Sequence, residues 1–300
     1  MPSAVQDITP AGRRFALGTV QFGVAYGIAN ATGQVPVDEA GKIVALAAKS
    51  GIDTVDTAIG YGESERCLGQ IGMSAFNIVT KLPSMPAGLS DVAAWVNAQI
   101  DASLARLGRT QVYGVLLHRP QDLFGAGGPA LYGALCGLKE KALTRKIGVS
   151  IYSPSELEGL IAKFNFDLVQ APLNLVDRRL ATTGWLQRLK DSAVEVHTRS
   201  AFLQGLLLLP RQNVPQKFAR WSGLFDRWQA WLESHKEAAV RACLAYPLSL
   251  SEVDRIVVGT DNVEQLRTIL ASAAQSPKAP LPDLACDDEN LINPARWPNL

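Results

Sequence analysis

Short runs of apolar, β-branched residues recur along the chain, and longer segments with apolar residues at helical spacing lie between them. Runs of this kind are typical of buried strands, and the intervening segments are typical of helices that pack one face on a sheet. The pattern predicts strands at residues 15–20, 54–57, 77–81, 112–118, 147–152, 168–171, 194–199 and 256–259. It predicts helices at 38–49, 64–71, 91–107, 130–142, 154–164 and 178–191, and a further helix that begins near Asn262.

The alternation of strand and helix predicts a parallel sheet with right-handed crossovers. Eight such units close naturally into an α/β fold of the (β/α)8 or TIM barrel type, and the alternative is a doubly wound open sheet. We expect one barrel domain over residues 1–300.

Two stretches interrupt the alternation, at residues 210–234 and 276–300. The first follows the seventh predicted strand and contains Trp221, Phe225, Trp228 and Trp231. Either it is a folded excursion over the mouth of the barrel, or it is a helix that packs its aromatic side chains on the outside. The second stretch is expected to be an ordered but irregular C-terminal tail.

Composition narrows the class of protein. The chain has 300 residues, of which 47% are hydrophobic, and 29 Lys and Arg against 28 Asp and Glu give a net charge of +1. There is no basic block for nucleic acid or for an anionic membrane. The four cysteines are scattered, and no apolar run approaches the length of a membrane span, so we expect a cytoplasmic protein with reduced thiols.

Candidate chemistry lies at the carboxyl ends of the predicted strands, where barrel enzymes place their reactive groups. Asp56 and nearby Tyr61 follow the second strand, Lys81 ends the third, and His118 ends the fourth. A cation at Lys81, held by Asp56, would favour ionisation of the phenol, and His118 could hydrogen-bond a substrate oxygen. Such a set suits carbonyl reduction, in which a nicotinamide delivers hydride and the protein delivers the proton.

The segment DTAIGYGESE, residues 56–65, resembles the signature of the aldo-keto reductases. Similar segments are LGTVQFG near the first strand, NIVTK, LLHRP, IGVS and VVGT near the last strand. The resemblance implies that Tyr61 is the proton donor, that Lys81 and Asp56 set its acidity, and that His118 orients the carbonyl.

The resemblance also implies a nicotinamide cofactor. The positions expected to bind it are Gly18, Thr19, Ser150, Gln170, Arg199, Ser200, Phe202, Leu203, Gly205, Gly259, Thr260, Asp261 and Gln265. Two of these positions depart from the family pattern, since Ile151 replaces an asparagine after Ser150 and Arg199 stands where an aromatic ring is frequent. A guanidinium plane can also stack on a ring.

NADP(H) is the expected cofactor by family habit, with NAD(H) as the alternative. The helix near Asn262 would present its N-terminus to an anion, at the position of the adenosine phosphate. However, Gln265 stands where relatives carry a basic residue, and Asp261 adds negative charge. Arg267 either compensates or faces solvent.

The long loop after the first strand carries Gln21, Phe22, Tyr26 and Asn30 and is expected to shape the substrate pocket, with Tyr26 as the candidate contact. The scattered histidines predict no metal site, and His197 is expected to be structural. The leading hypothesis is therefore a reductase acting on a small aldehyde, ketone or sugar. The alternatives are an NAD-dependent aldose dehydrogenase that uses the same residues and a nucleotide-binding partner subunit without turnover. The sequence leaves the oligomeric state open.

Overall fold

The computed structural model describes residues 12–300. Its eight strands are all parallel and form a closed barrel in chain order, with the last strand paired to the first. The predicted (β/α)8 barrel is confirmed, and the open sheet is wrong. The strands are β1 (Phe15–Gly18), β2 (Thr54–Asp56), β3 (Asn77–Leu82), β4 (Val112–Leu117), β5 (Thr144–Ser150), β6 (Leu168–Pro172), β7 (Glu195–Arg199) and β8 (Arg255–Gly259).

Helices surround the barrel and fill the connections between its strands. They are α1 (Val20–Gly23), α2 (Val37–Lys49), α3 (Ser64–Ile71), α4 (Val92–Leu107), α5 (Gly128–Glu140), α6 (Ser155–Ile161), α7 (Arg179–Thr182), α8 (Trp185–Asp191), α9 (Ser222–His235), α10 (Ala239–Leu248), α11 (Val263–Ala273) and α12 (Glu289–Ile292). Short 3₁₀ segments lie at Gly12–Arg14, Pro120–Phe124, Leu203–Leu208, Arg211–Asn213, Gln216–Trp221 and Pro294–Asn299.

Two predicted elements differ from the structure for local backbone reasons. The first strand ends at Gly18 instead of residue 20, because the chain turns there into α1. The single helix predicted at 178–191 is divided into α7 and α8 at Gly184, whose φ of 78° lies in the left-handed region. Glycine adopts that conformation without the steric penalty of a Cβ atom, so the break is encoded by one residue.

The main core lies between the strands and the surrounding helices, and a small separate cluster fills the inside of the barrel. Val79, Leu116 and Leu168 form that inner cluster. Near the amino ends of the strands, Glu195 accepts hydrogen bonds from Tyr113 and from Lys146 and contacts the ring of buried His197 at 2.7 Å. These contacts close the barrel at the end opposite its mouth.

The aromatic excursion forms a second core with the C-terminal tail. Trp228, Phe218 and Trp221 pack with Leu291 and Trp297 and with residues that follow β6 and β7. The Trp228 indole donates a buried hydrogen bond of 2.9 Å to the Leu207 carbonyl. The excursion therefore packs on the segments that follow the carboxyl ends of β6 and β7 and on the C-terminal tail. It braces the segment that follows β7.

Within residues 12–300, no helix is both long enough and apolar enough to cross a membrane.

The second core predicts a specific loss of stability. Replacing Trp228 by Phe leaves the Leu207 carbonyl without its donor and leaves a void, so we expect the free energy of unfolding to fall by about 2–3 kcal/mol. Trp95→Phe makes the same chemical change at a half-buried position of α4 and should lower it by less than about 1 kcal/mol. Denaturant unfolding of both variants checks this, and equal losses would contradict a buried role for Trp228.

Candidate active site

A buried ion pair lies at the carboxyl ends of β2 and β3. The Lys81 ammonium lies 2.8 and 2.7 Å from the two carboxylate oxygens of Asp56 and donates to the Thr57 carbonyl at 2.9 Å. Both side chains are buried, with exposures of 1% for Lys81 and 6% for Asp56. Burial lowers the pKa of Lys81, and the negative charge of Asp56 opposes that shift. The pair is therefore the electrostatic anchor of this end of the barrel.

One of the residues expected to bind cofactor, Gln170, instead contacts this pair, and another, Ser150, contacts Gln170. The Gln170 amide donates to Asp56 Oδ1 at 2.6 Å, and the Ser150 hydroxyl donates to the Gln170 carbonyl oxygen at 3.2 Å. Neither residue is among those that line the cavity of the site. The structure thus shows Ser150 and Gln170 orienting Asp56, and their cofactor contacts stay a prediction.

The Tyr61 phenol meets the ion pair from the loop after β2. Lys81 Nζ lies 3.4 Å from the phenol oxygen and can donate to it, in an arrangement that leaves the phenol proton free for another acceptor. Burial raises the pKa of Tyr61, and the charge of Asp56 raises it further. The phenol therefore stays protonated at neutral pH. The sequence predicted that the Lys81 charge would lower the pKa of the Tyr61 phenol. Burial, the largest cause of the pKa shift, acts in the opposite direction.

Close backbone contacts fix the loop that carries Tyr61. A Cβ atom on Gly23 would lie 1.7 Å from the Tyr61 carbonyl oxygen, and one on Gly62 would lie 2.6 Å from the Gly23 carbonyl oxygen. Gly62 also has a positive φ of 54°. Glycine is required at both positions, because any side chain would push the two loops apart.

The Ser64–Glu65 end of the signature segment is also structural. The Ser64 hydroxyl donates to the Thr19 carbonyl at 2.8 Å, and buried Glu65 accepts hydrogen bonds from Thr80, Ser103 and Arg106. The signature segment therefore contains both the candidate reactive residues and the residues, Ser64 and Glu65, that hold the Tyr61 loop in place.

His118 faces the Tyr61 ring from the end of β4. The two ring centroids are 5.8 Å apart and the rings are nearly perpendicular, at 77°. Burial lowers the pKa of His118 to about 4, and the charges of Lys81 and Arg199 contribute to the shift. The imidazole is therefore neutral at pH 7 and can exchange hydrogen bonds with a ligand oxygen without carrying charge.

A cavity of about 490 Å³ extends from this cluster along the ends of β1, β7 and β8. Its lining includes Tyr26, the catalytic candidates Asp56 and Tyr61, and most of the positions expected to contact cofactor: Gly18, Thr19, Arg199, Ser200, Phe202, Gly205, Gly259, Asp261 and Gln265. The remaining two expected positions, Leu203 and Thr260, are buried beside it and do not line it.

Arg199 lies at the catalytic end of the cavity. Its guanidinium is 4.6 Å from the Tyr152 ring centroid and donates to the Ile151 carbonyl at 2.8 Å. One face of the guanidinium plane is therefore already stacked on a protein ring. Arg199, the residue expected to stack on a cofactor, is therefore held in one orientation by Tyr152 and Ile151. Its positive charge lies near Tyr61.

The loop after β1 crosses the cavity and is held at both sides. Tyr26 accepts a hydrogen bond of 2.9 Å from the Gln204 amide, and the Asn30 amide donates to Asp261 at 3.0 Å. Gln204, Glu264 and Thr268 also line the cavity, and sequence reasoning missed them. Gln204 and Glu264 each adjoin an expected cofactor position in the sequence, and that proximity was the available signal, whereas Thr268 adjoins none.

Comparison with known proteins identifies the family. The sequence model of the Aldo/keto reductase family matches residues 14–279. The chain belongs to the aldo/keto reductase family. The family consists of NAD(P)-dependent oxidoreductases that act on small carbonyl compounds. No curated protein matches the chain.

Solved structures of bacterial aldo-keto reductases share the fold. A protein described as an aldo-keto reductase from Pseudomonas aeruginosa is 24% identical, with 87% of this chain and 90% of that chain covered and a TM-score of 0.65. The holo form of an aldo-keto reductase from Bacillus halodurans is 18% identical, with 88% and 87% covered and a TM-score of 0.70. At these sequence identities the similarity shows a shared fold, which is the barrel.

The cavity fits the nicotinamide cofactor of the family. The side-chain oxygen Oε1 of Gln21 is buried at the cavity wall and has no hydrogen-bond donor within residues 12–300. Buried acceptors of this kind are almost always satisfied, and a cofactor amide or hydroxyl would supply the donor. Within the same residues, no cluster of His, Cys, Asp or Glu could hold a metal ion.

The lowered pKa of His118 predicts how stability depends on pH. The unfolded chain takes up the histidine proton near pH 6.5, whereas the folded site takes it up only near pH 4. Protons therefore favour the unfolded chain between these values, and the free energy of unfolding contributed by this residue falls as the pH drops from 6.5 to 4. We expect His118→Gln to lose less stability than the wild type over that interval. Denaturant unfolding at pH 7 and pH 5 measures the difference, and identical losses would show that His118 is not buried in this way.

Proposed function

We propose that the protein reduces the carbonyl group of an aldehyde, ketone or sugar to the alcohol, with Tyr61 as the proton donor. The observation that carries the proposal is the contact between Lys81 and Tyr61, in which the ammonium can donate to the phenol oxygen at 3.4 Å. The phenol proton then remains available toward the cavity, where a substrate oxygen would lie. When bound, a nicotinamide supplies the hydride that reaches the carbonyl carbon.

Tyr61 completes the reduction by proton transfer to the substrate oxygen. As that oxygen gains negative charge, its proton affinity rises until it exceeds that of the phenol. The phenolate that remains lies beside the Lys81 ammonium, whose charge stabilises it more than it stabilises the neutral phenol. Asp56 keeps this ammonium in place at 2.7 Å. In the reverse direction the same groups accept a proton from an alcohol.

His118 positions the substrate oxygen. Because its ring is neutral at pH 7 and lies against Tyr61, it can donate one hydrogen bond to the oxygen without competing as an acid. Two donors, the phenol and the imidazole, would then converge on one oxygen, as in other sites that stabilise a developing oxyanion. Tyr26, at the rim of the cavity, is the proposed contact for the rest of the substrate.

The cofactor would lie along the cavity, with its nicotinamide near Tyr61. Gln21 supplies an unsatisfied acceptor there, and Ser200, Phe202 and Gly205 line the adjoining wall. The family resemblance favours NADP(H) and leaves NAD(H) open. The 2′-phosphate that distinguishes them would lie at the opposite end of the cavity.

An NAD-dependent dehydrogenase acting on an aldose is the second candidate. The same proton donor serves oxidation, and the carboxylates at the far end of the cavity, Asp261 and Glu264, support the use of NAD. A partner subunit without turnover has less support, because the four candidate catalytic residues are assembled within one site.

Tyr61→Phe tests the role of the phenol. Loss of the acidic proton should lower kcat by about 10²–10⁴-fold for whichever carbonyl compound the wild type reduces, while cofactor affinity changes little. The measurement is a spectrophotometric assay of a panel of aldehydes, ketones and aldoses, together with calorimetric titration of the cofactor.

Tyr132→Phe is the matched control, since Tyr132 lies on α5, does not line the cavity and bonds the Asn165 backbone. It should retain full activity. If Tyr61→Phe kept wild-type kcat, or lost cofactor binding in proportion to activity, Tyr61 would not be the proton donor.

A further inference from the structure

The far end of the cavity carries negative charge. Asp261 and Glu264 line it, together with the uncharged Asn262, Gln265 and Thr268. Of the described residues that line the cavity, Arg199 alone is cationic, and it lies at the catalytic end, bound to the Ile151 carbonyl. A phosphate group at the far end would therefore meet two carboxylates and no cation.

Two of the backbone donors at the start of α11 are already used by the protein. The Val263 N–H donates to the Glu39 carboxylate at 2.8 Å, and the Gln265 N–H donates to the Asn262 side chain at 2.9 Å. The Asp261 N–H donates to the Gln265 side chain at 2.8 Å. Helix N-termini bind anions through free N–H groups, and here the Glu39 carboxylate already serves as the anion. Fewer N–H groups therefore remain here for a phosphate than an unoccupied helix N-terminus would offer.

Arg267 does not replace the missing cation. Its guanidinium lies 3.3 Å from the Glu264 carboxylate, at an exposed position one turn along α11, and it is not part of the cavity wall. Exposed pairs of this kind are weak, so Glu264 keeps most of its negative charge, and the guanidinium contacts this carboxylate outside the cavity wall.

The Asp261 carboxylate is held in place by its neighbours. Asn30 Nδ2 donates to Asp261 Oδ1 at 3.0 Å, and the same Asn30 amide group donates to the Gly33 carbonyl and accepts from the Gly33 N–H. The Gln265 side chain also lies beside this carboxylate, whose remaining lone pairs can accept a hydrogen bond from a sugar hydroxyl. Carboxylates recognise the unmodified ribose in this way and repel a ribose phosphate.

We propose that the protein uses NAD(H) in preference to NADP(H), because Asp261 and Glu264 accept the adenosine ribose and exclude its 2′-phosphate. The proposal rests on the proposed function in one respect only, which is that the cavity binds a nicotinamide dinucleotide. It assigns to these two carboxylates a role in cofactor choice, separate from catalysis.

Calorimetric titration of the wild-type protein with NADH and with NADPH measures the preference without turnover. We expect NADH to bind about tenfold more tightly or better, which corresponds to about 1.4 kcal/mol. Equal affinities, or tighter binding of NADPH, would overturn the proposal and leave the oxidoreductase assignment standing. Binding of neither cofactor would overturn the proposed function itself.

Charge-neutralising variants test whether Asp261 and Glu264 cause the preference for NADH over NADPH. Asp261→Asn keeps an oxygen for the Asn30 donor, and Glu264→Gln keeps the side-chain length, so each removes charge with little change of shape. We expect each to tighten NADPH binding about three- to tenfold, while NADH binding stays the same or weakens. Glu233→Gln, an exposed position on α9, makes the same change in net charge and should leave both affinities unchanged.

Arg267→Gln completes the set. Under the proposal it leaves NADPH affinity unchanged or lowers it slightly, because the guanidinium does not reach the cavity. A loss of NADPH binding of more than about tenfold would show that Arg267 is the phosphate ligand, and the proposal would then be wrong. The proposal would also be wrong if Asp261→Asn and Glu264→Gln both left the ratio of the NADH affinity to the NADPH affinity unchanged.

Discussion

The buried ion pair of Lys81 and Asp56 is the constraint on which the site depends. Removing two charges from water is costly, and the attraction between them compensates only when every remaining donor and acceptor has a partner. Here the partners are the Thr57 carbonyl, the Tyr61 phenol and the Gln170 amide. Each of these groups is held in place because the pair requires it, so the ion pair orients the phenol as well as stabilising a charge beside it.

The barrel places the candidate catalytic residues at one end, and the loops after β1 and β7 form the rest of the cavity wall. Closure of eight parallel strands brings the ends of β2, β3 and β4 to one mouth, and the residues placed there can act together only in that topology. The loop after β1 is fastened by Tyr26 and Asn30, and the second core braces the segment after β7. The rigid catalytic end and the acidic far end are thus set by different parts of the chain.

Much of this could be predicted from the sequence. Strand and helix alternation predicted a parallel sheet, because each element carries its own apolar periodicity, and the count of eight units favoured a barrel over an open sheet. Asp56, Tyr61, Lys81 and His118 were identifiable because each lies at the carboxyl end of a predicted strand or in the loop just after it. The structure brings all four together, and their roles remain proposals.

Other features could not be predicted from the sequence, because they depend on side-chain direction or on partners that lie far away in the chain. The engagement of Gln170 with Asp56 joins β6 to β2, and the use of the α11 N-terminus by Glu39 joins two helices that lie far apart in sequence. Burial raises the pKa of Tyr61 through the sum of many neighbours, which no local motif displays. The break at Gly184 was visible as a glycine, but apolar spacing continued across it.

The most direct measurement is a double-mutant cycle on the ion pair, with unfolding free energies of Lys81→Met, Asp56→Asn and the combined variant. Each single change strands a buried charge or removes its partner and should lower the free energy of unfolding by about 3–5 kcal/mol. The double change should cost less than the sum of the two, with a coupling of about 2 kcal/mol. Strictly additive losses, or single losses below about 1 kcal/mol, would contradict the claim that this pair organises the site.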